Sequence, residues 1–195
     1  MASLSTLADA LAGTFPACDD APLARALLRR LADGQPVAAS VPARWPNVEL
    51  DEDGRVVAFG GLSLLPTAHR FTVGERRLYT WCAWDTLFLP ALLERTARVR
   101  SRCRVTGVDV RLTVDPSGVR EVDPEPLWVS FPAPSSTSVA DITGSFCCHV
   151  HFLAGRAAAG EWLSGHPGGT ALTLDEAFEL GRRATCCLMD ADRRT

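Results

Sequence analysis

Two segments with alternating residues constrain the fold most. Residues 97–103 and 108–114 alternate apolar or small residues with polar ones, and Gly107 lies between them. Successive side chains of an extended strand point to opposite faces, so this alternation predicts half-buried antiparallel strands. We therefore expect an antiparallel sheet in this part of the chain.

A hairpin is predicted earlier in the chain. Residues 48–50 and 55–59 are mostly apolar and flank Asp51-Glu52-Asp53-Gly54, which is typical of a tight turn. Further strands are predicted at residues 62–65, 70–73 and 127–131.

Helices are predicted at both ends. Apolar residues at helical spacing indicate amphipathic helices over residues 4–15 and 20–34, and a capping box at Thr173 and Glu176 opens a final helix. Helices followed by a hairpin resemble a winged-helix module. We predict an α+β protein with short antiparallel sheets and surrounding helices, divided into an N-terminal helical and hairpin region (residues 1–76) and an α+β core (residues 77–195).

The segment RLYTWCAWDTLFLPA, residues 77–91, carries the first candidate site. It places Cys82 and Asp85 three residues apart among apolar and aromatic residues. On a helix these positions share a face. Pro90 predicts a break or kink there, or the start of a second helix. A nearby helix N-terminus would favour a Cys82 thiolate, and apolar surroundings would favour a protonated Asp85. The alternative is a buried cysteine and a capping aspartate.

A second cluster occupies residues 146–153, FCCHVHFL, which we predict to be a buried strand. Neighbours on a strand face opposite sides, so only one of Cys147 and Cys148 can face a given site. We interpret His149 and His151 as ordinary core or surface histidines.

Composition limits the possible functions of this chain of 195 residues. The formal net charge is −3 and no basic stripe stands out, so we predict no nucleic-acid partner. The N-terminus lacks a basic region and a long apolar run, which predicts a cytoplasmic protein without a membrane span.

Seven cysteines without an export signal argue against a disulfide framework. No Cys-x-x-Cys occurs, so a metal site would combine distant segments. Two separated thiols with one carboxylate suit a soft, thiophilic ion. We predict that Cys103 is a packed structural thiol, and we assign no role to Cys18, Cys148, Cys186 and Cys187.

Several long strings resemble the organomercurial (alkylmercury) lyases of bacterial mercury resistance. They are residues 77–87 (RLYTWCAWDTL), 90–92 (PAL), 95–99 (RTARV) with Cys103, 145–152 (SFCCHVHF) and 176–181 (EAFELG). The resemblance runs from about residue 23 to residue 181 and is dense from residue 77 onward.

The resemblance implies a function and a site. The essential cysteines of the family match Cys82 and Cys147, its catalytic aspartate matches Asp85, and its buried structural cysteine matches Cys103. The implied reaction converts R–Hg⁺ and a proton to R–H and Hg(II), without a cofactor, on an organomercurial substrate. Cys82, Cys147 and Asp85 would hold the Hg(II) product, which passes to mercuric reductase.

One departure and one alternative stay open. The family usually carries another helix before the hairpin, and residues 37–48 are too short and Pro-rich to hold it, so the winged-helix-like part is shortened. The alternative function is a non-catalytic, thiol-based binder or sensor of soft metal ions, which would need the cysteines and not Asp85.

Overall fold

The computed structural model describes residues 4–38, 40–45, 47–134 and 137–189. Their helices are α1 Leu4–Ala12, α2 Ala21–Leu31, α3 Asp85–Leu93, α4 Ile142–Ser145, α5 Gly155–Ser164, α6 Leu174–Ala184 and α7 Cys186–Met189. Their strands are β1 Val48–Leu50, β2 Val56–Phe59, β3 Leu62–Ser63, β4 His69–Val73, β5 Arg76–Thr80, β6 Ala97–Arg102, β7 Asp109–Asp115, β8 Gly118–Asp123, β9 Leu127–Phe131, β10 Phe152–Ala154 and β11 Thr170–Thr173.

The described strands form two antiparallel sheets. The larger has the order β1-β2-β3-β5-β4-β6-β7-β8, and the smaller has the order β10-β9-β11. Strand β6 shows the predicted alternation, with Ala97, Val99 and Ser101 buried and the arginines between them exposed. The prediction of an α+β fold with short antiparallel sheets is therefore confirmed.

Helix α3 lies at the centre of the molecule. All its residues except Ala91 are buried, and it contacts α2, α6, α7, β6 and β7. A helix that is apolar on all sides is a core helix rather than a surface one. Because the candidate aspartate is its first residue, the site belongs to the rigid interior.

Pro90 does not interrupt this helix, which continues to Leu93, so the expected break or second helix start is wrong. Proline removes one main-chain hydrogen bond from a helix interior. The tight burial of Leu87, Leu89 and Leu92 offsets that loss.

The N-terminal region follows the prediction in part. The helices at residues 4–15 and 20–34 and the hairpin at 48–59 are present as α1, α2, β1 and β2. The described residues 32–38, 40–45 and 47 form turns and one bridge between Val37 and Val56, and no helix. Strands from both sides of residue 76 share the larger sheet, and the division into two regions stays a prediction.

The predicted strand over residues 146–153 is wrong except for its last two residues, which lie in β10. Residues Cys147–His149 form a 3-10 helix, and only Phe152–Ala154 pair with β9. The Ser130 hydroxyl donates to the His149 carbonyl at 2.8 Å and accepts from the His151 N–H at 2.8 Å. These side-chain bonds replace part of the strand ladder and let the chain turn beside Cys147. Strands β5, β8 and β11 were not predicted.

No helix among the described residues is long and apolar enough to cross a membrane.

Candidate active site

A turn between β5 and α3 positions Cys82 and Asp85. Cys82 precedes the helix, so the two residues do not share a helix face as expected. Instead, the Asp85 carboxylate accepts a hydrogen bond from the Cys82 main-chain N–H at 2.8 Å. The Thr80 hydroxyl donates to the Cys82 carbonyl, also at 2.8 Å. The Cys-x-x-Asp spacing therefore closes a turn in which the thiol and the carboxyl lie close together.

The second thiol comes from a distant segment of the chain. Cys147 begins the 3-10 helix Cys147–His149, and the Val150 N–H donates to its carbonyl at 3.1 Å. The carbonyl of Val150 in turn accepts from the Ala83 N–H at 3.3 Å. This main-chain contact joins the turn that carries Cys82 to the segment that carries Cys147.

Cys82, Asp85 and Cys147 meet in one buried group. One ligand atom of each lies within 4.8 Å of the ligand atoms of the other two. Their exposed fractions are 0% for Cys82 and 5% for both Asp85 and Cys147. Elsewhere in the described chain, no three His, Cys, Asp or Glu side chains lie as close together.

Burial acts to raise the pKa of all three groups. It raises the pKa of Asp85 to about 7, although the hydrogen bond from the Cys82 N–H acts in the opposite direction. Burial also raises the pKa of the Cys82 thiol well above its ordinary value. A hydrogen bond with Cys82 lowers the pKa of Cys147, but burial and the nearby Asp85 outweigh it and leave the pKa raised.

The expectation that a helix N-terminus would favour a Cys82 thiolate is therefore wrong. Full burial, and after it the hydrogen bond with Cys147 and the nearby Asp85, raise the pKa of the Cys82 thiol and disfavour its thiolate. The neutral Asp85 expected from apolar surroundings agrees in direction with its raised pKa.

We expect Asp85→Asn to raise the free energy of unfolding above pH ~7. Asparagine has nearly the same shape, can accept the same N–H and has no charge to bury. The pKa of Asp85 is about 7 in the folded protein, whereas the ordinary pKa of an aspartate is 3.8. The folded state therefore binds more protons between these values, so wild-type stability falls as pH rises through them. Above pH ~7, the free energy of unfolding of Asp85→Asn should exceed that of wild type by at most about 4 kcal/mol.

Urea denaturation of both proteins near pH 8 and near pH 5 measures this effect. The advantage of Asp85→Asn should shrink at the lower pH, where wild-type Asp85 is protonated. An advantage of the same size at both pH values would contradict the burial of a titrating Asp85.

Aromatic side chains surround the three groups. The Trp84 ring packs against four phenylalanines at centroid distances of 4.9 to 6.4 Å, namely Phe15, Phe88, Phe131 and Phe146. Its indole N–H donates to the Ala177 carbonyl at 3.0 Å. This packing excludes water from one side of the site and lowers the local dielectric, which strengthens electrostatic interactions there.

A cavity of about 20 Å³ reaches Asp85 and Cys147, which is room for about one water-sized group. The other residues that line it are Thr14, Phe15, Pro16, Asn47, Phe59, Gly60, Gly61, Trp81, Trp84, Ile142 and Phe146. Trp81 lines the cavity, and its buried indole N–H has no hydrogen-bond partner among the residues that the structure describes. Because Thr14, Phe15 and Pro16 line the cavity, the loop after α1 forms part of the site. The sequence did not predict this.

Gly61 also lies at the site, and the sequence did not predict this. Its φ is +92°, and a Cβ atom built on it would lie 2.6 Å from the Asp85 Cγ. Its carbonyl accepts from the Trp81 N–H at 3.0 Å. The available signal was the Gly60-Gly61 pair directly after a predicted strand.

We expect Gly61→Ala to destabilise the fold by roughly 2–4 kcal/mol and to displace Asp85. Gly155→Ala is the matched control, because Gly155 has nearly the same φ, +89°, and no heavy atom within 4 Å of the position that a Cβ would take. Urea denaturation measures the loss of stability in both variants, and the difference between the two losses gives the contribution of the clash with Asp85. Equal losses of stability would contradict a close contact between residue 61 and Asp85.

The remaining cysteines are distributed over three environments. Cys148 is exposed and donates to the Gly144 carbonyl at 2.8 Å, outside the buried group. Cys103 is buried, and its sulfur accepts from the main-chain N–H groups of Thr106 and Ala154, at 3.4 and 3.2 Å. It therefore ties the end of β6 to the end of β10, in agreement with the predicted structural thiol.

Cys18 and Cys187 form a disulfide, which the argument against a disulfide framework did not predict. The two residues are separated by 169 positions, and their contact arises because α7 packs against α2. Sequence spacing carries no information on such a pairing.

Comparison with known proteins identifies the family. The family model described as "MerB: Alkylmercury lyase" matches residues 62–186. The chain belongs to the alkylmercury lyase family. An alkylmercury lyase of Staphylococcus epidermidis is 44% identical over 82% of this chain and 80% of its own length. One of Pseudomonas putida is 43% identical over 87% of this chain and 86% of its own length.

A solved structure agrees with this assignment. The crystal structure of the mercury-bound form of MerB2 superposes with a TM-score of 0.75 at 25% identity, over 95% of this chain and 98% of that one. The resemblance to the alkylmercury lyases in the sequence analysis, and with it the prediction of an enzyme of this family, is confirmed.

Proposed function

We propose that this alkylmercury lyase cleaves the carbon–mercury bond of organomercurial compounds with Cys82, Cys147 and Asp85. The observation that carries the proposal is the buried group itself, in which two sulfurs and one carboxylate lie within 4.8 Å of one another. Thiolates bind soft mercury far better than oxygen ligands do. The carboxyl supplies the proton that cleavage requires.

Charge explains why a buried site suits this substrate. Burial disfavours a free thiolate at Cys82 and at Cys147, as their raised pKa values indicate. When R–Hg⁺ binds one thiolate, or Hg(II) binds two, the mercury–thiolate complex is neutral, so its formation adds no net charge to the buried site. The apolar surroundings therefore oppose the empty ionised site and favour the mercury-bound one.

The first steps exchange thiols. One cysteine, Cys82 or Cys147, displaces a solution thiol from R–Hg–SR′ and forms R–Hg–S with release of R′SH. The second cysteine transfers its proton to the Asp85 carboxylate, and its sulfur binds the same mercury. Two sulfurs then donate electron density to the mercury-bound carbon.

Cleavage returns the proton. Protonated Asp85, directly or through a cysteine, gives its proton to the carbon as the carbon–mercury bond breaks, and R–H leaves. Hg(II) stays bound by two sulfurs, and Asp85 is again a carboxylate. A pKa of about 7 suits both halves of this cycle, because Asp85 must accept and donate a proton near neutral pH.

We propose that the reaction needs no cofactor, because the two thiols and the carboxyl supply every group that the steps use. We propose mercuric reductase as the acceptor of Hg(II) and the cytoplasm as the location. A nucleic-acid partner is not expected, since the chain has a net charge of −3.

The test is hydrocarbon release from the purified protein. The protein is incubated with an alkyl- or arylmercury compound and excess thiol, and the hydrocarbon is measured by gas chromatography. We expect stoichiometric R–H and Hg(II), with many turnovers when excess thiol removes the ion. Tight binding of mercury without any hydrocarbon would favour the alternative of a metal binder or sensor.

A further inference from the structure

Three cysteines outside the active site lie close together in space. One is near the start of the described residues and two are near their end. Cys18 begins the short 3-10 helix between α1 and α2, and Cys187 lies in α7. Their Cα atoms are 4.9 Å apart and their sulfurs are bonded. Cys186, the residue before Cys187, keeps a free and exposed thiol.

This cysteine group borders the active site through a shared wall. A cavity of about 320 Å³ is lined by Cys18, Cys186, Cys187 and the loop after α1. Phe15 and Pro16 of that loop line both this cavity and the small cavity at Asp85 and Cys147. The cavity at the disulfide and the cavity at Asp85 and Cys147 are therefore bordered by the same two residues.

We propose that Cys18 and Cys187, when reduced, form a second binding site for a soft cation such as Hg(II). Reduction consumes two equivalents of a small-molecule thiol RSH and yields two protein thiols and RSSR. Hg(II) then binds both sulfurs and displaces two protons. An ion from solution can reach this site, because Cys18 is exposed and Cys187 is half-buried.

The geometry favours this pair over single thiols. A monothiol in solution competes well with an isolated cysteine such as Cys148 or Cys186. Two sulfurs on one folded chain bind the same ion with a high effective concentration, so they resist that competition. The alternative role is a covalent link alone, which would stabilise the fold through the long closed loop and hold no metal.

The experiment counts Hg(II) ions per chain by equilibrium dialysis of fully reduced protein against Hg(II) and excess glutathione. We expect wild type to hold one ion more per chain than Cys18→Ser, whether or not glutathione strips the active site. The matched control Cys186→Ser should hold as many ions as wild type, because it changes a neighbouring exposed thiol and leaves the pair intact. Cys187→Ser repeats the test from the other element and should also hold one ion fewer than wild type.

Two results would overturn the proposal. One is equal Hg(II) binding by reduced wild type and Cys18→Ser. The other is loss of the second ion in Cys186→Ser with its retention in Cys18→Ser. Hydrocarbon release by Cys18→Ser should stay within about twofold of wild type, which shows that the variant is folded. The difference between the two ion counts does not depend on what the active site holds, so failure of the proposed function would be recognised separately.

Discussion

Asp85→Ala should lower the rate of hydrocarbon release by roughly 10²–10⁴-fold, the range in which a positioned general acid contributes. Mercury should still bind, because the sulfurs of Cys82 and Cys147 remain. Hydrocarbon release and bound mercury are measured on the same sample, the second after removal of free metal. The physical reason is that Asp85, with a pKa of about 7, is the one carboxyl in the buried cluster and can donate a proton near neutral pH.

Asp85→Asn separates chemistry from structure in this experiment. Alanine removes the acceptor of the Cys82 N–H and leaves a buried donor unpaired, which costs about 1–3 kcal/mol. Asparagine keeps an acceptor of nearly the same shape and still cannot donate an acidic proton. Both variants should lose hydrocarbon release. Near-normal turnover in either one would remove Asp85 from the mechanism and favour the sensor alternative.

The sequence predicted the elements whose residue pattern has a clear period. The alternation in β6 and β7, the hairpin of β1 and β2, and the capping box of α6 were sufficient to identify each element. The continuous apolar run at residues 146–153 has no such period, and an apolar run of that length fits more than one backbone conformation. There the hydrogen bonds of the Ser130 hydroxyl decide the outcome.

The candidate residues were predictable, and their surroundings were not. Cys82 and Asp85 are linked by local spacing, and the family resemblance added Cys147. The cavity, in contrast, combines the loop after α1, the Gly60-Gly61 turn and the segment before Cys147. No local pattern relates these segments, because their contacts arise from tertiary packing, such as that of Phe15 and Phe146 against Trp84.

Cys147→Ser should abolish hydrocarbon release, and Cys148→Ser should keep most of it. A serine hydroxyl is a hard, weakly acidic ligand and cannot replace a thiolate on mercury. Cys147 lies in the buried group with Cys82, while Cys148 is exposed and bonded to the Gly144 carbonyl. The two residues form a matched pair, since the same substitution is made at adjacent positions.

The reason for this difference is not the strand alternation that the sequence suggested. Successive residues of a 3-10 helix project about 120° apart, because three residues make one turn. That rotation is enough to point Cys147 into the core and leave Cys148 in solvent. Because Cys148 is exposed, Cys148→Ser replaces no buried thiol and should cost little stability. An active Cys147→Ser with an inactive Cys148→Ser would require the helix to be rotated by one residue. Inactivity of both folded variants would instead mean that the two thiols act at one site.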